Sequence, residues 1–198
     1  MPCCVPPDSA PLVAVLAAGG ATRFGGGKLD AMLADRAVGQ WVLDAVSEAG
    51  LAPGIIVVGE DAPQFAQDSG WQLLVNSQAA DGLGSSLARA AGYALSQGRA
   101  LLVVLADMPL VDPGHLGNLA ASNGTAATLW PNGKPGVPAR FAPSLLPQLA
   151  GLSGHAGAGA LLAGRQDVAL VAPPEGMLLD VDRPEDLARA ESLLRSRG

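Results

Sequence analysis

Two cations and three carboxylates are the residues here whose types and spacing could do chemistry. Arg23 and Lys28 flank the glycines Gly25, Gly26 and Gly27, in a loop that also holds Gly19 and Gly20. Glycines let backbone N–H groups approach an anion closely, and a guanidinium with an ammonium supplies the charge that a polyphosphate demands. The loop therefore reads either as a phosphate cradle or as a glycine-rich turn with incidental charges. Asp107 stands at the end of a long apolar run, and a carboxylate there must be paired, hydrogen-bonded or bound to a metal. Asp180 and Asp182 alternate with Leu179 and Val181, so both acids share one face of an extended segment. Hard cations such as Mg²⁺ select oxygen ligands, which makes Asp107 and Asp182 the metal candidates, with Asp180 next. Asp182 has a competing use as the N-cap of the helix that Pro184 begins.

The elements that must position these groups are legible from apolar runs and breakers. Leu12 to Leu16 reads as a buried strand entering the glycine loop, Val38 to Ala49 as an amphipathic helix stopped by Gly50, and Gly54 to Gly59 as a second strand. That βαβ unit closes right-handed and puts the loop at the carboxyl edge of a parallel sheet, where ligands bind. Trp71 to Val75 is a third strand ending at Asn76, and Asp81-Gly82-Leu83-Gly84-Ser85-Ser86 then opens a helix that runs to about Leu95. Ala100 to Ala106 is the most continuously apolar strand and is expected in the middle of the sheet. Asp112 before Pro113 caps the next helix, Thr125 to Trp130 is a strand, Pro131 to Gly136 is a turn, Pro143 to Leu149 is a short helix and Val168 to Val171 is a late strand.

The loop Leu16-Ala17-Ala18-Gly19-Gly20-Ala21-Thr22-Arg23-Phe24-Gly25-Gly26-Gly27-Lys28 is neither a P-loop nor a dinucleotide fingerprint. It resembles the signature of nucleotidyltransferases with the nucleotide-diphospho-sugar transferase fold, and more narrowly that of the molybdenum cofactor cytidylyltransferases. Four further segments are similar to that family in its own order: Asn76 with Gly82-Leu83-Gly84-Ser85-Ser86-Leu87, Asp107-Met108-Pro109, Gly136-Val137-Pro138, and Asp180-Val181-Asp182-Arg183-Pro184-Glu185-Asp186-Leu187. The resemblance implies an α/β, single-domain, Rossmann-like three-layer sandwich with a mostly parallel mixed sheet over residues 11–198, after a tail over residues 1–10. It implies transfer of a nucleotide, CMP from CTP, to the phosphate of molybdopterin with release of pyrophosphate. Arg23, Lys28 and Asp107 would be catalytic, with Mg²⁺ on Asp107 and Asp182. Ala17, Ala18, Gly19, Gly20, Arg23, Lys28, Asn76, Gly82, Ser85 and Ser86 would line the nucleotide, although Ser85 or Ser86 can equally serve as a helix cap.

Ala18 follows the cytidylyl pattern, whereas guanylyl relatives carry glycine there. A guanylyltransferase, or another transferase with a different phosphorylated acceptor, is the alternative within the class. A catalytically silent carrier of nucleotide or cofactor is the alternative outside it. Three departures bear on these choices. His155 and Gly159 stand where relatives carry aspartate and arginine, and Asp30 stands where many have leucine, for which the sequence offers no reason. His155 reads as a surface or capping residue or as a proton acceptor, and Lys134 as a solvated cation or an anion contact at the acceptor. A molybdoenzyme or its chaperone is the receiver that the resemblance implies.

Composition limits what else the chain can be. It has 198 residues, 49% of them hydrophobic and 15% charged, which is enough for one sizeable core. The net charge of −6 disfavours general affinity for nucleic acid or anionic membrane, so an anionic ligand depends on locally placed cations. Cys3 and Cys4, adjacent in a proline-rich leader, read as reduced thiols in a tail. No apolar run approaches the length of a membrane span and the leader lacks a secretory pattern, so a cytoplasmic location is expected.

Overall fold

Strand β1 (Leu12–Leu16) is buried at all five positions, and its residues alternate between two hydrophobic layers. Val13 and Val15 face one cluster while Leu12, Ala14 and Leu16 face the other, so the strand needs cover on both sides. In the computed structural model, which describes residues 10–19, 24–154 and 156–197, helices supply that cover. In chain order the elements are β1, the short strands β2 (Met32–Leu33) and β3 (Arg36–Ala37), α1 (Val38–Glu48), β4 (Ile55–Val58), α2 (Gln64–Asp68), β5 (Gln72–Val75), α3 (Leu83–Ser96) and β6 (Leu101–Leu105). They continue with α4 (Pro113–Ala121), β7 (Thr125–Leu129), β8 (Pro135–Phe141), α5 (Leu146–Ala150), α6 (Ala158–Leu162), β9 (Val168–Val171) and α7 (Pro184–Arg197).

Seven strands form one sheet in the order β5-β4-β1-β6-β8-β7-β9. β8 runs antiparallel to both neighbours, and the remaining pairs are parallel. Residues of α1, α2, α4 and α7 pack on one face, with Val42, Val46, Phe65, Leu116, Leu119 and Ala190 in its core. Residues of α3, α5 and α6 pack on the other, with Leu87, Ala91, Leu146, Leu149 and Leu162 in its core. The result is a three-layer α/β sandwich with a mostly parallel mixed sheet. From β1 the chain first winds outward through β4 and β5, then returns to the other side of β1 as β6. The switch point lies between β1 and β6, where the loops leaving the two strands diverge and open a crevice at the carboxyl edge. Among the described residues no helix is long and apolar enough to cross a membrane.

One expectation needs correction. The turn expected over Pro131 to Gly136 is cut short, because β8 begins at Pro135 and Gly136-Val137-Pro138 lies inside it. Glycine and two prolines in seven residues look like a breaker, yet the register of β7 against β8 shifts between Ala127 and Thr128, so Val137 and Pro138 fall in the irregularity. A proline without an N–H is tolerated there because no ladder bond is required of it. The segment before α7 is extended as expected, and it joins no strand ladder. Met177, Leu179 and Val181 are buried as the alternation requires, and Val181 N–H donates to the Asp107 carbonyl at 2.8 Å.

Behind β7, the buried His115 Nε2 lies 2.8 Å from Thr128 Oγ1. Burial pushes this imidazole below its usual 6.5, against the opposing influence of Asp112 and of a hydrogen bond with the Ala172 backbone. For a base whose folded value is depressed, the unfolded chain takes up the proton first as pH falls. Stability from the neutral ring is thus complete above 6.5 and is lost as pH falls through 6.5 towards the lower folded value. Thermal midpoints measured between pH 8 and 5 should therefore fall more steeply for the natural chain than for His115→Gln. Parallel curves would refute this account of the site.

Candidate active site

The loop leaving β1 continues the ladder for one residue, since Ala17 N–H donates to the Val57 carbonyl at 2.8 Å, and then turns away. Gly25, Gly26 and Gly27 all have positive φ, at 87°, 104° and 64°, a region that side chains resist. Two turn bonds follow, from Asp30 N–H to the Gly27 carbonyl and from Ala31 N–H to the Lys28 carbonyl. They bring Lys28 back beneath the crevice, where it is only 8% exposed.

Lys28 meets two carboxylates that are far away in sequence. Its Nζ lies 2.6 Å from Asp107 Oδ2 and 3.2 Å from Asp182 Oδ1. Asp107 follows β6 directly, and the bond from Val181 N–H to its carbonyl holds the 180–182 segment beside it. Desolvation alone would lower the Lys28 pKa, but the two carboxylates outweigh it and hold the ammonium above its ordinary 10.5. Asp180 completes the acidic group: its Oδ1 is buried without a hydrogen-bond partner, and burial, then the charges of Asp107 and Asp182, push its carboxyl up to about 6. One ammonium among three carboxylates leaves an excess of negative charge, which a cation would relieve. Among the described residues no three potential ligands converge into a closed metal cage. The oxygen donors of Asp107 and Asp182 suit a hard divalent ion that takes one or two carboxylates and completes its shell with water and phosphate oxygens.

Two adjoining cavities share Ala17, Ala18, Gly19 and Lys28. The first, about 660 Å³, extends between the 59–63 segment after β4 and the 76–80 segment after β5. The second, about 670 Å³, reaches Gly82, Leu83, Ser86 and Asp107. A smaller cavity of about 270 Å³ lies beyond Leu83, with Trp130, Lys134 and Gly159 in its wall.

Asn76, Ser85 and Ser86 form one buried network. Asn76 Nδ2 donates to both serine Oγ atoms at 3.0 Å, Asn76 Oδ1 accepts from Gln78 N–H, and the Ser85 hydroxyl donates to the carbonyls of Gln78 and Gly82. The serines are thus not side-chain caps of α3, whose N-cap is Gly82. They pin the turn that walls both cavities. Gly84 in the first turn of α3 donates its N–H to the Gly154 carbonyl, and a Cβ on it would stand 2.8 Å from the carbonyls of Ser153, Gly154 and Ala156. Gly84→Ala should push the carbonyls of Ser153, Gly154 and Ala156 away from α3 and lower the thermal midpoint. A midpoint equal to that of the natural chain would count against this close approach.

Of the residues singled out in the sequence, Ala17, Ala18, Gly19, Lys28, Asn76, Gly82, Ser86 and Asp107 line these two cavities. Ser85 lies directly behind, and Asp182 is joined through Lys28. Gly20, Arg23 and His155 lie outside the described residues. Asp182 is not a side-chain cap; the N–H groups of Asp182 and Arg183 donate to Asp186 Oδ2 instead. The sequence reading missed two contacts. One is the tie from Val181 to Asp107, which no side-chain pattern encodes. The other is the bonding of Asp30 to the start of α2, for which a carboxylate out of pattern, 34 residues before an uncapped Pro63-Gln64 helix start, was the only signal.

The sequence matches the model of the MobA-like NTP transferase domain over residues 13–169. The chain belongs to the MobA-like NTP transferase family. It is accordingly a nucleotidyltransferase of that class. Among solved structures it is similar to a nucleotidyl transferase from Methanothermobacter thermautotroptrophicus, at 21% identity and a TM-score of 0.80, covering 96% of this chain and 99% of that one. The manganese complex of Rv0371c from Mycobacterium tuberculosis is 25% identical, with a TM-score of 0.69 and coverage of 93% and 99%. Molybdopterin-guanine dinucleotide biosynthesis protein A from Archaeoglobus fulgidus is 22% identical, with a TM-score of 0.63 and coverage of 93% and 98%. Family and fold thus agree with the switch-point crevice. Comparison with proteins of curated function returns no match.

Proposed function

We propose that residues 11–198 form a divalent-ion-dependent cytidylyltransferase that moves CMP from CTP to the terminal phosphate of a molybdopterin-type acceptor. The observation that carries this reading is the junction of Lys28 with Asp107 and Asp182 where the two cavities meet. Nucleotidyl transfer sets an anionic phosphate oxygen against an anionic α-phosphorus, so the main task is charge neutralisation and in-line positioning. The acceptor oxygen forms a bond to the α-phosphorus, the bond to the β-phosphate oxygen breaks, and pyrophosphate departs with that electron pair. The acceptor is ionised at neutral pH, so no protein base is required, and no covalent intermediate is formed on the chain.

Backbone N–H groups of the glycine loop, with Lys28 and Arg23, hold the β- and γ-phosphates and the departing pyrophosphate. Asp107 and Asp182 would hold the divalent ion, Mg²⁺ in this reading, which when bound withdraws charge from the phosphates. Manganese in the Rv0371c structure is in keeping with a divalent ion at such a site. Ala17, Ala18 and Gly19 lie along the nucleotide together with Gly20, while Asn76, Gly82, Ser85 and Ser86 shape the wall facing it. Lys134 and Gly159 border the smaller cavity beyond Leu83, which suits the acceptor end. CTP is favoured because the methyl of Ala18 narrows the cavity where guanylyl relatives have glycine. One methyl discriminates by only about 1–3 kcal/mol.

The test is pyrophosphate release from CTP, GTP, ATP and UTP with molybdopterin and Mg²⁺. Turnover greatest with CTP supports the proposal. Turnover greatest with GTP would instead support a guanylyltransferase, in keeping with the molybdopterin-guanine dinucleotide biosynthesis for which the Archaeoglobus protein is named. Tight binding without turnover of any nucleotide would identify a carrier.

A further inference from the structure

The departure at Asp30 has a structural counterpart that the reaction outlined above does not use. Its two oxygens accept from consecutive backbone N–H groups, Oδ2 from Gln64 at 2.9 Å and Oδ1 from Phe65 at 2.8 Å. These open α2, a helix of five residues preceded by Pro63, which has no side-chain acceptor of its own. The first N–H groups of a helix have no partner within it, and so short a helix does not hold itself in place. Asp30 supplies the missing acceptors from another part of the chain. Two further contacts lock the same unit. The Phe65 ring lies so close to Gly39 that a Cβ there would be 2.5 Å away, and Gln67 Nε2 donates to the Ala62 carbonyl at 2.7 Å.

The 59–63 segment is therefore held at both ends, by the β4 ladder before it and by α2 after it. Together with Asp30 it lines the first cavity but not the second, which contains Asp107. We infer that Asp30 is a positioning residue that sets the width of the nucleobase end of the first cavity by clamping α2, and so tunes nucleotide affinity without touching the nucleotide. This rests on the reading of that cavity as the nucleotide site. The phosphate end is marked by Lys28, and the 59–63 wall, whose Glu60 and Asp61 would repel phosphate, lines the cavity that Asp107 does not reach, where a base would be accommodated. Both Asp30 oxygens are committed to N–H groups of α2, so the carboxylate acts through the helix it holds and not as a bonding partner of the nucleotide.

The experiment uses the full chain with Asp30→Ala and Asp30→Asn, and two probes measured by titration calorimetry with Mg²⁺: CTP and inorganic pyrophosphate. Asp30→Ala should weaken CTP by about tenfold, the size of a lost helix cap, and reduce the preference between CTP and GTP. Pyrophosphate, which lacks a base, should bind within about twofold of the natural chain. Asp30→Asn keeps one acceptor oxygen and should fall between. In turnover the loss should appear in KM for the nucleotide and not in kcat. Unchanged CTP affinity in Asp30→Ala, or equal weakening of CTP and pyrophosphate, would overturn the inference. Amide exchange at Gln64 and Phe65 reads the clamp independently: faster exchange in Asp30→Ala supports it, and unchanged exchange refutes it. A natural chain that binds no nucleoside triphosphate, with the exchange effect intact, would instead overturn the nucleotide reading of the cavity, and the tuning role with it.

Discussion

Lys28→Met should cut nucleotidyl transfer by about 10²–10³-fold, the usual loss when one preorganised donor to a developing anion is removed. The side chain is of similar length and still fills its buried position, so the loss reports charge. Its charge is secure in the natural chain, because Asp107 and Asp182 hold the ammonium above 10.5. The sign follows from that direction. A raised folded value means that the contribution of Lys28 to stability is complete below 10.5 and is lost as pH rises through the folded value. No Lys28 step should therefore appear in the rate between pH 6 and 9. Removing the ammonium also leaves two carboxylates facing each other near the half-buried Asp180, so the variant should be less stable. Breaking a fully buried pair costs about 3–5 kcal/mol, and the half-exposed Asp182 side chain reduces that to about 1–3 kcal/mol here. Pyrophosphate-release kinetics together with thermal midpoints check both halves. Activity within threefold of the natural chain would remove Lys28 from the phosphate site.

Asp107→Asn should lose about 10³-fold in turnover, equivalent to about 4 kcal/mol, while the fold persists or gains stability. Asparagine keeps an oxygen that can accept from Lys28 and leaves the bond from Val181 N–H to the backbone carbonyl untouched. What it removes is one of three neighbouring negative charges; burial first, and then the charges of Asp107 and Asp182, push the Asp180 carboxyl up to about 6. Rate should therefore fall without a matching loss of stability, which distinguishes a ligand for the ion from a structural salt bridge. The divalent-ion concentration needed for half-maximal rate should rise as well. A variant with near-natural activity, or one that loses activity only because it unfolds, would contradict the metal assignment.

The parts of the molecule legible in the sequence are those in which local pattern and tertiary environment agree. The apolar runs of β1 and β6 are buried on both sides, so no polar residue interrupts them, and the groups following them mark the crevice. Lys28, Asp107 and Asp182 stood out because a charge next to a buried strand or a glycine loop demands a partner, and each proves to be the partner of another. β8 was not legible because its glycine and prolines signal a turn, while the shifted register that accommodates them is a property of the pairing with β7. Ser85 and Ser86 follow the cap statistics of isolated helices, yet Asn76 draws their hydroxyls into a network that only the folded chain brings together. The role of Asp30 was hidden for the same reason, since its partners are backbone groups and backbone groups leave no trace in residue type.

The account depends on the α-phosphorus being the atom attacked at the junction of Lys28, Asp107 and Asp182. Radiolabel placed on the α-phosphate of CTP tests this directly when the natural chain is incubated with Mg²⁺ and molybdopterin. The label should move into a phosphoanhydride (P–O–P) linkage with the acceptor phosphate, while label on the γ-phosphate leaves quantitatively as pyrophosphate. Gamma label found on the acceptor, or released as inorganic phosphate while the α label stays with CDP, would show a phosphoryl-transfer or hydrolytic site and contradict the account.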